Sequence, residues 1–371
     1  MERQRFPTAL ELITGKFLRH SEDFYQWRIK DRESRMQKGS PPEMFDDLAV
    51  AYEKLGNSDK AIEIMLQKGR EYPGIYTTHA NLGTFYIHAG RYREGITEID
   101  KALEINPDAH FGRELYQKYL VEYLLSLEMD NPVQLPLCKD AEGGFRPVGF
   151  AAFLLRDQTE PTEEEIEAQM RDAAKGVMGM MKFGNFDSPI LLEALGDLLI
   201  SGGFSSDAKL LAARAYLKAS YETEDSDAQK LYRQKANERL HFQTIGDGKT
   251  TPISLSTIES QLATEIQEAD DWYEALRSNE IAWIEQGINP EEEFQKKYYN
   301  DEPTVTSTTP EKSLSTNLKS NASEQARIIS RTLGLSRITS KGSLFVIGGL
   351  LVCAAFYFVI RKPRQSNKNS D

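Results

Sequence analysis

The sequence predicts an all-α protein: a helical-hairpin solenoid in two helical blocks, then a disordered linker and a single C-terminal transmembrane helix. Three observations lead to this prediction. A pattern of small and large apolar residues repeats with a period of 34 residues over 42–109. Through the rest of the first 300 residues, apolar residues recur three or four positions apart, without a convincing run of alternating strand residues. An uncharged apolar stretch of eighteen residues, 343–360, follows near the C-terminus.

Charge is distributed unevenly along the 371 residues, whose net charge is −12. The segment 303–371 carries +7, so the preceding 302 residues carry −19. This acidic balance argues against a nucleic-acid partner, because nucleic-acid binding requires a basic surface. The two cysteines, Cys138 and Cys353, are too few for a disulfide framework or a four-thiolate zinc site.

The N-terminal block, 1–128, contains the two repeats, 42–75 and 76–109. Small residues at repeat positions 8 and 20 let two helices approach closely, and larger residues fill the space between them. A glycine at position 15 suits the turn between the helices, and a proline at position 32 ends the second helix. The residues that carry the pattern are Phe45, Leu48, Ala49, Tyr52, Gly56, Ala61, Met65 and Pro73, then His79, Leu82, Gly83, Tyr86, Gly90, Gly95, Ile99, Ala102 and Pro107.

This pattern resembles the tetratricopeptide repeat (TPR), a unit of two antiparallel helices that stacks into a solenoid. Two departures are visible: position 4 lacks tryptophan, and position 27 of the first repeat is Lys68. Because a terminal repeat needs a covering helix, we expect flanking helices at 21–37, with Phe24, Trp27 and Arg28 toward the first repeat, and at 108–128.

An irregular connector, 129–160, leads to the second helical block, 161–300. This block contains a divergent TPR-like hairpin near 189–222, with about four extra loop residues; an ordinary amphipathic helix pair is the alternative. Three helix starts are predicted from N-terminal signals, namely capping boxes at Thr162–Glu165 and Ser256–Glu259 and a proline-led start at Asn289–Pro290.

The C-terminal part comprises a disordered tether with a basic juxtamembrane segment, 301–342, the span 343–360, and a basic tail, 361–371. Eighteen helical residues cover roughly 27 Å, close to the hydrocarbon thickness of a bilayer. The stretch 324–341 is either an amphipathic helix on the membrane surface or an unstructured basic flank. The arrangement is similar to tail-anchored repeat proteins.

We expect a single-pass membrane protein whose large N-terminal part is cytoplasmic, because the N-terminus has no apolar signal stretch. Four basic residues precede the span and four follow it, so the positive-inside rule does not fix the orientation. A bacterial inner membrane is favoured, with a eukaryotic organelle outer membrane as the alternative.

No catalytic, metal or cofactor motif is predicted, so the chain is interpreted as a non-enzyme. The glycine-rich stretch 246–250 ends in Gly-Lys-Thr, but Gln243 stands where a phosphate-binding loop needs glycine. The five histidines do not form a metal-binding spacing. The alternative hypothesis is that 129–300 forms an enzymatic or small-ligand module.

The resemblance implies a protein-binding concave surface lined by the first helix of each repeat. Its candidate residues are Glu43, Asp46, Val50, Glu53, Lys54, Thr77, Ala80, Asn81, Thr84, Ile87 and His88. Some members of the family bind a terminal carboxylate through Lys at position 5 and Asn at position 9 of one repeat and Asn at position 6 of the next. This chain has Asp46 and Val50 at the first two positions, and only Asn81, at the third, agrees. A basic or mixed peptide, or a packed helix, therefore suits the groove better. The predicted function is a membrane-anchored scaffold, with a structural subunit of a larger membrane complex as an alternative.

Overall fold

Helices form nearly all of the regular structure in the computed structural model, which describes residues 6–107, 109–127, 133–140, 147–202, 206–240 and 253–299. No strand occurs in these ranges, which confirms the all-α prediction for them. None of the helices in these ranges is long and apolar enough to cross a membrane. The predicted tether, membrane span and basic tail, 301–371, lie outside the described residues.

Fourteen α-helices are described. The first half contains α1 (Ala9–Thr14), α2 (Glu22–Arg35), α3 (Pro42–Lys54), α4 (Ser58–Glu71), α5 (Tyr76–His88), α6 (Tyr92–Ile105) and α7 (Arg113–Ser126), the last preceded by a 3₁₀ turn at Ala109–Gly112. The second half contains α8 (Gly149–Leu154), α9 (Glu163–Phe183), α10 (Pro189–Ser201), α11 (Ser206–Tyr221), α12 (Ser226–Leu240), α13 (Leu255–Glu285) and α14 (Pro290–Phe294), followed by a π-helical turn at Gln295–Tyr299.

The two repeats form the helix pairs α3–α4 and α5–α6. In each pair a glycine with positive φ, Gly56 at +79° and Gly90 at +74°, makes the turn between the helices, as the spacing predicts. Close approach is most direct at Gly83, where an added Cβ would lie 2.6 Å from the Ile99 side chain and 3.1 Å from a backbone oxygen of α6. The small residue at position 8 therefore sets the distance between α5 and α6.

Two separate cores hold the helices together. The smaller core contains Phe45, Leu48, Ala61, Met65 and Phe85 from the repeats. Ile29 of α2 and Met36, which follows α2, pack against this core. Arg28 reaches the first repeat as predicted, through an ion pair with Asp47 of α3 at 4.0 Å, and it also binds Glu291 of α14 at 2.7 Å. The apolar contacts with this core therefore come from the C-terminal half of α2 and the residue that follows it.

The larger core joins helices from both predicted blocks. It contains Leu12 and Ile13 of α1 and Tyr123 of α7, together with apolar residues of α8 to α13. The predicted block boundary at 128 thus does not coincide with a boundary between cores. The reason is that α1, which is too short to show a periodic pattern, packs against α9, α11 and α13 rather than against the repeats.

A helical hairpin, α10–α11, occupies the position predicted near 189–222. Gly196 on α10 lies against Tyr216 on α11, where an added Cβ would be 2.6 Å from the ring. The additional residues do not simply lengthen the loop: α11 begins at Ser206, six residues before Ala212, whereas α4 begins three residues before the equivalent Ala61. Most of the insertion is therefore helical.

Three local predictions are wrong. The connector is not wholly irregular, because it contains α8, whose Phe150 and Ala151 are fully buried; six residues are too few to show a helical period. Helix α13 is capped by Ser254, whose side chain accepts from the Thr257 N–H, so no capping box at 256–259 is used. The helix expected from 108 is a 3₁₀ turn first and becomes α-helical at residue 113.

The long helix α13 returns the chain to α2. Glu280 on α13 is fully buried and accepts hydrogen bonds from the Ser21 N–H at 2.8 Å and from His20 at 2.6 Å. Arg277 adds an ion pair to Asp23 at 3.0 Å. Because Ser21 also caps α2, these contacts attach α13 to the N-terminus of α2.

Candidate functional site

The predicted binding surface lies on α3 and α5, the first helix of each repeat; we call it the inner face. Glu43 and His88 are exposed, and Ala80 is buried. The remaining candidates are half-buried, namely Asp46, Val50, Glu53, Lys54, Thr77, Asn81, Thr84 and Ile87. The structure therefore brings the candidates onto neighbouring helices, but it leaves few of them fully open to a ligand.

Asp46 is the centre of a hydrogen-bond network between the repeats. The ammonium of Lys68 lies 2.6 Å from its Oδ2, the Thr77 hydroxyl donates to the same oxygen at 3.0 Å, and Asn81 donates to Oδ1 at 3.0 Å. Lys68 is fully buried and also donates to Thr77 at 2.7 Å. The unusual lysine at position 27 thus neutralises the carboxylate that was expected to attract a basic peptide.

A second set of contacts lies at the C-terminal ends of α3 and α5. His88 Nδ1 is 2.6 Å from Glu53 Oε1, and the Lys54 ammonium donates to the Gly184 carbonyl at 2.6 Å. Burial lowers the pKa of Lys54 to about 8. This end of the inner face is therefore in contact with the chain segment that follows α9.

The apolar candidates support the inner face from within. Val50 packs against the repeat core. The Ile87 side chain packs against Gly95 of α6, where an added Cβ would lie 2.6 Å from it. The Thr84 hydroxyl donates to the Ala80 carbonyl and lies 3.4 Å from Gln117 of α7. The exposed candidates of the inner face consequently lie at its two ends, Glu43 at the N-terminal end and His88 at the C-terminal end.

A buried charged cluster that the sequence analysis did not identify lies in the second half. Glu193, Asp197 and Lys235 are each at most 1% exposed. The Lys235 ammonium is 2.7 Å from Glu193 and 3.3 Å from Asp197, and the hydroxyls of Tyr232 and Tyr216 donate to these two carboxylates, respectively, at 2.8 and 2.7 Å.

The two carboxylates also bind the backbone of the connector. Glu193 accepts from the N–H groups of Leu137 and Cys138 at 2.8 and 3.0 Å, and Asp197 accepts from that of Phe150 at 3.2 Å. Burial raises the pKa of Asp197 to about 6. Although burial alone would lower it, attraction by the carboxylates raises the pKa of Lys235. The cluster therefore attaches the backbone of the connector to α10.

A sequence signal for this cluster exists. Glu193 and Asp197 are four residues apart in an otherwise apolar helix, Pro189–Ser201, so both lie on one face of it. An acidic pair on a buried helix predicts a cationic partner, but nothing local indicates that Lys235 supplies it.

Two cavities stand out in the part of the chain that is described. One, of about 240 Å³, lies between α2, α3 and α14 and is lined by His20, Arg28, Arg32, Asp47, Glu291, Phe294, Gln295 and Tyr299. Its arginines are already paired: Arg28 and Arg32 lie 2.7 Å from Glu291. The other, of about 340 Å³, lies between α2 and α4, with Met36, Leu48 and Ile64 in its lining. Within the described residues, no three His, Cys, Asp or Glu side chains form a group that could hold a metal ion.

Comparison with known proteins identifies the repeats. The family model described as tetratricopeptide repeat matches residues 42–67, which cover α3 and most of α4, and residues 76–109, which contain α5 and α6. The chain therefore carries TPR repeats, a unit that typically serves in protein interaction. No curated protein matches the chain.

Proposed function

We propose that this protein is a membrane-anchored scaffold that binds a protein partner through the inner face of its TPR repeats. The observation that carries this proposal is the matched tandem repeat, whose helices α3 and α5 place polar side chains side by side. The contacts of Asp46 and Glu53 fix the geometry of this surface in advance, which reduces the entropy lost on binding.

The partner is proposed to be a basic or mixed peptide, or a packed helix. Since Asp46 and Glu53 are already paired, the exposed Glu43 is the carboxylate best placed to meet a cation. An approaching helix would find apolar contact at Val50 and Ile87, which are both half-buried.

The membrane anchor is proposed to be 343–360, with 361–371 as a basic tail and 301–342 as the tether. The length of the apolar stretch and its basic flanking residues support this assignment. The large N-terminal part would face the cytoplasm, with a bacterial inner membrane as the favoured location. Anchoring would raise the local concentration of a bound partner at the membrane.

Photo-crosslinking from the inner face tests the scaffold. A benzoylphenylalanine in place of Glu43, in the full chain in its native membranes, should produce a defined crosslinked partner. The matched control replaces Glu104, which is equally exposed but lies on α6, and should not produce it. The same products from both positions, or none from position 43, would contradict partner binding at the inner face.

Removal of residues 343–371 tests the anchor. The shortened chain should leave the membrane fraction in a flotation gradient, whereas the full chain should stay with it after an alkaline wash. A shortened chain that still floats with membranes would be incompatible with the proposed anchor. Protection of the large part from protease added outside intact cells would support the proposed orientation.

A further inference from the structure

Helix α9 ends beside the inner face with an exposed aromatic residue. Phe183 is 52% exposed, more than any other large apolar side chain in the described residues. The next residue, Gly184, accepts the hydrogen bond from Lys54 on the inner face. This contact places the Phe183 ring beside the C-terminal end of the inner face.

Lys182 precedes this ring and lies between two aromatic groups. Its ammonium is 5.2 Å from the ring centroids of both Phe6 and Phe183. The side chain is half-buried, and burial lowers the pKa of its amine. Among the residues that the structure describes, no carboxylate forms an ion pair with it, in contrast to Lys175 on the same helix, which pairs with Asp172 at 3.1 Å.

A second cation lies on the other side of Phe183. The guanidinium of Arg113 is 5.3 Å from the Phe183 ring centroid and is bonded to Glu114. Lys54 and His88 lie nearby. Glu53 pairs with His88, and Glu114 pairs with Arg113. Within the described residues, however, neither Lys54 nor Lys182 forms an ion pair, so this end of the inner face carries unpaired positive charge. Charge complementarity therefore favours a partner group that is acidic.

The position of Lys182 in the last turn of α9 has a simple structural explanation, since cations stabilise the C-terminal end of a helix. That explanation does not supply the partly desolvated ammonium with a carboxylate partner. A carboxylate next to an apolar side chain would satisfy both Lys182 and Phe183, because it would compensate this ammonium and cover the exposed phenyl ring.

We propose that Lys182 and Phe183 form a docking site for a partner segment in which a carboxylate lies beside an aromatic or aliphatic side chain. This inference rests on the proposed scaffold function and specifies the chemistry of one part of its ligand: a mixed peptide whose acidic group lies at the α9 end of the inner face.

Binding of two synthetic peptides to the full chain in detergent tests this site. The probes are a fluorescein-labelled peptide of Glu and Phe residues spaced by Gly, and the same peptide with Lys in place of Glu. Fluorescence anisotropy should show saturable binding of the acidic peptide and none of the basic one. Lys182→Met and Phe183→Ser should each raise the Kd of the acidic peptide by at least about tenfold.

The matched control is Lys175→Met, which removes an exposed lysine from the same helix and should leave the Kd unchanged. No binding of the acidic peptide to the unaltered chain would overturn the proposal. So would a Lys182→Met variant that has a lower Tm but an unchanged Kd, because that result would assign Lys182 to helix stability alone. The crosslink from position 43 reports on the scaffold independently, so it can succeed when the peptide test fails.

Discussion

The tandem repeats and the hairpin α10–α11 pack their helices alike but bury charge differently. Gly83 against Ile99 in the second repeat, and Gly196 against Tyr216 in the hairpin, give the same close approach. In the repeats the buried Lys68 meets Asp46, whose side chain is still 22% exposed. In the hairpin two carboxylates, Glu193 and Asp197, are buried together with the ammonium of Lys235 from the next helix, α12.

The difference arises from what each region must cover. The repeat helices satisfy their own backbone hydrogen bonds, so their core can be almost entirely apolar. The hairpin packs against the connector, whose backbone N–H groups at Leu137, Cys138 and Phe150 require acceptors. Glu193 and Asp197 provide these acceptors, and Lys235 compensates their charge. An irregular segment in a helical protein thus brings ionised side chains into the core.

The largest expected effect is at Lys235. Lys235→Met leaves two buried carboxylates without a counter-ion, so the free energy of unfolding should fall by about 3–5 kcal/mol. Urea denaturation followed by circular dichroism measures this loss. Lys230→Met on the same helix, which removes an exposed ion pair to Asp227, should change it by less than about 0.5 kcal/mol. Equal effects of the two substitutions would show that the cluster does not stabilise the fold.

Lys68→Met should have a smaller effect, about 2 kcal/mol, because Asp46 keeps the hydrogen bonds from Thr77 and Asn81 and partial contact with water. The same denaturation experiment measures it, with the exposed Lys60→Met as its control. A loss as large as that of Lys235→Met would remove the distinction drawn between the two regions.

Gly196→Ala should lower the free energy of unfolding by about 1–2 kcal/mol, because the new methyl group would overlap the Tyr216 ring, which its hydrogen bond to Asp197 holds in place. Gly69→Ala, in the last turn of α4, meets only the Thr78 methyl group at 3.5 Å and should be neutral or stabilising by up to about 1 kcal/mol. Thermal unfolding distinguishes the two. A stabilising Gly196→Ala would mean that the hairpin does not depend on close approach.

Glu291→Gln should give the smallest effect, and one that depends on pH. Burial opposes ionisation of Glu291, but hydrogen bonds from Arg32 and attraction by Arg28 lower its pKa below 4.5. A carboxyl group whose pKa is lowered by folding stabilises the fold at pH values above its ordinary pKa. This stabilisation is lost as the pH falls through the lowered pKa. The substitution should therefore cost about 1 kcal/mol at pH 7 and less at pH 3.

Melting curves at the two pH values measure this difference. The exposed Glu292→Gln is the control and should have no effect at either pH. A deficit of the Glu291→Gln variant that persists unchanged in acid would show that hydrogen bonding alone, and not the charge, attaches α14 to α2.

Local patterns were sufficient to predict most helices, because capping residues and apolar spacing act within a few residues. They predicted Lys68 as a departure from the repeat, but its pairing with Asp46 depends on how α3, α4 and α5 pack. For the same reason Asp46 and Glu53 were predicted only as ligand-contacting residues, whereas the fold gives each a cationic or imidazole partner within the chain. Lys235 is 42 residues from Glu193, a separation that no local pattern bridges.

The length of helix α13 is linked to the number of hairpins in this helical array. The 31 residues of α13 extend about 46 Å. Glu259, which binds Arg233 of α12, and Glu280, which binds Ser21 at the start of α2, lie about 32 Å apart along it. An open solenoid can gain or lose a unit at either end, because each unit touches only its neighbours. Here an inserted repeat would move Ser21 away from Glu280 unless α13 lengthened by the same distance. The number of hairpins and the length of this one helix must therefore change together during evolution.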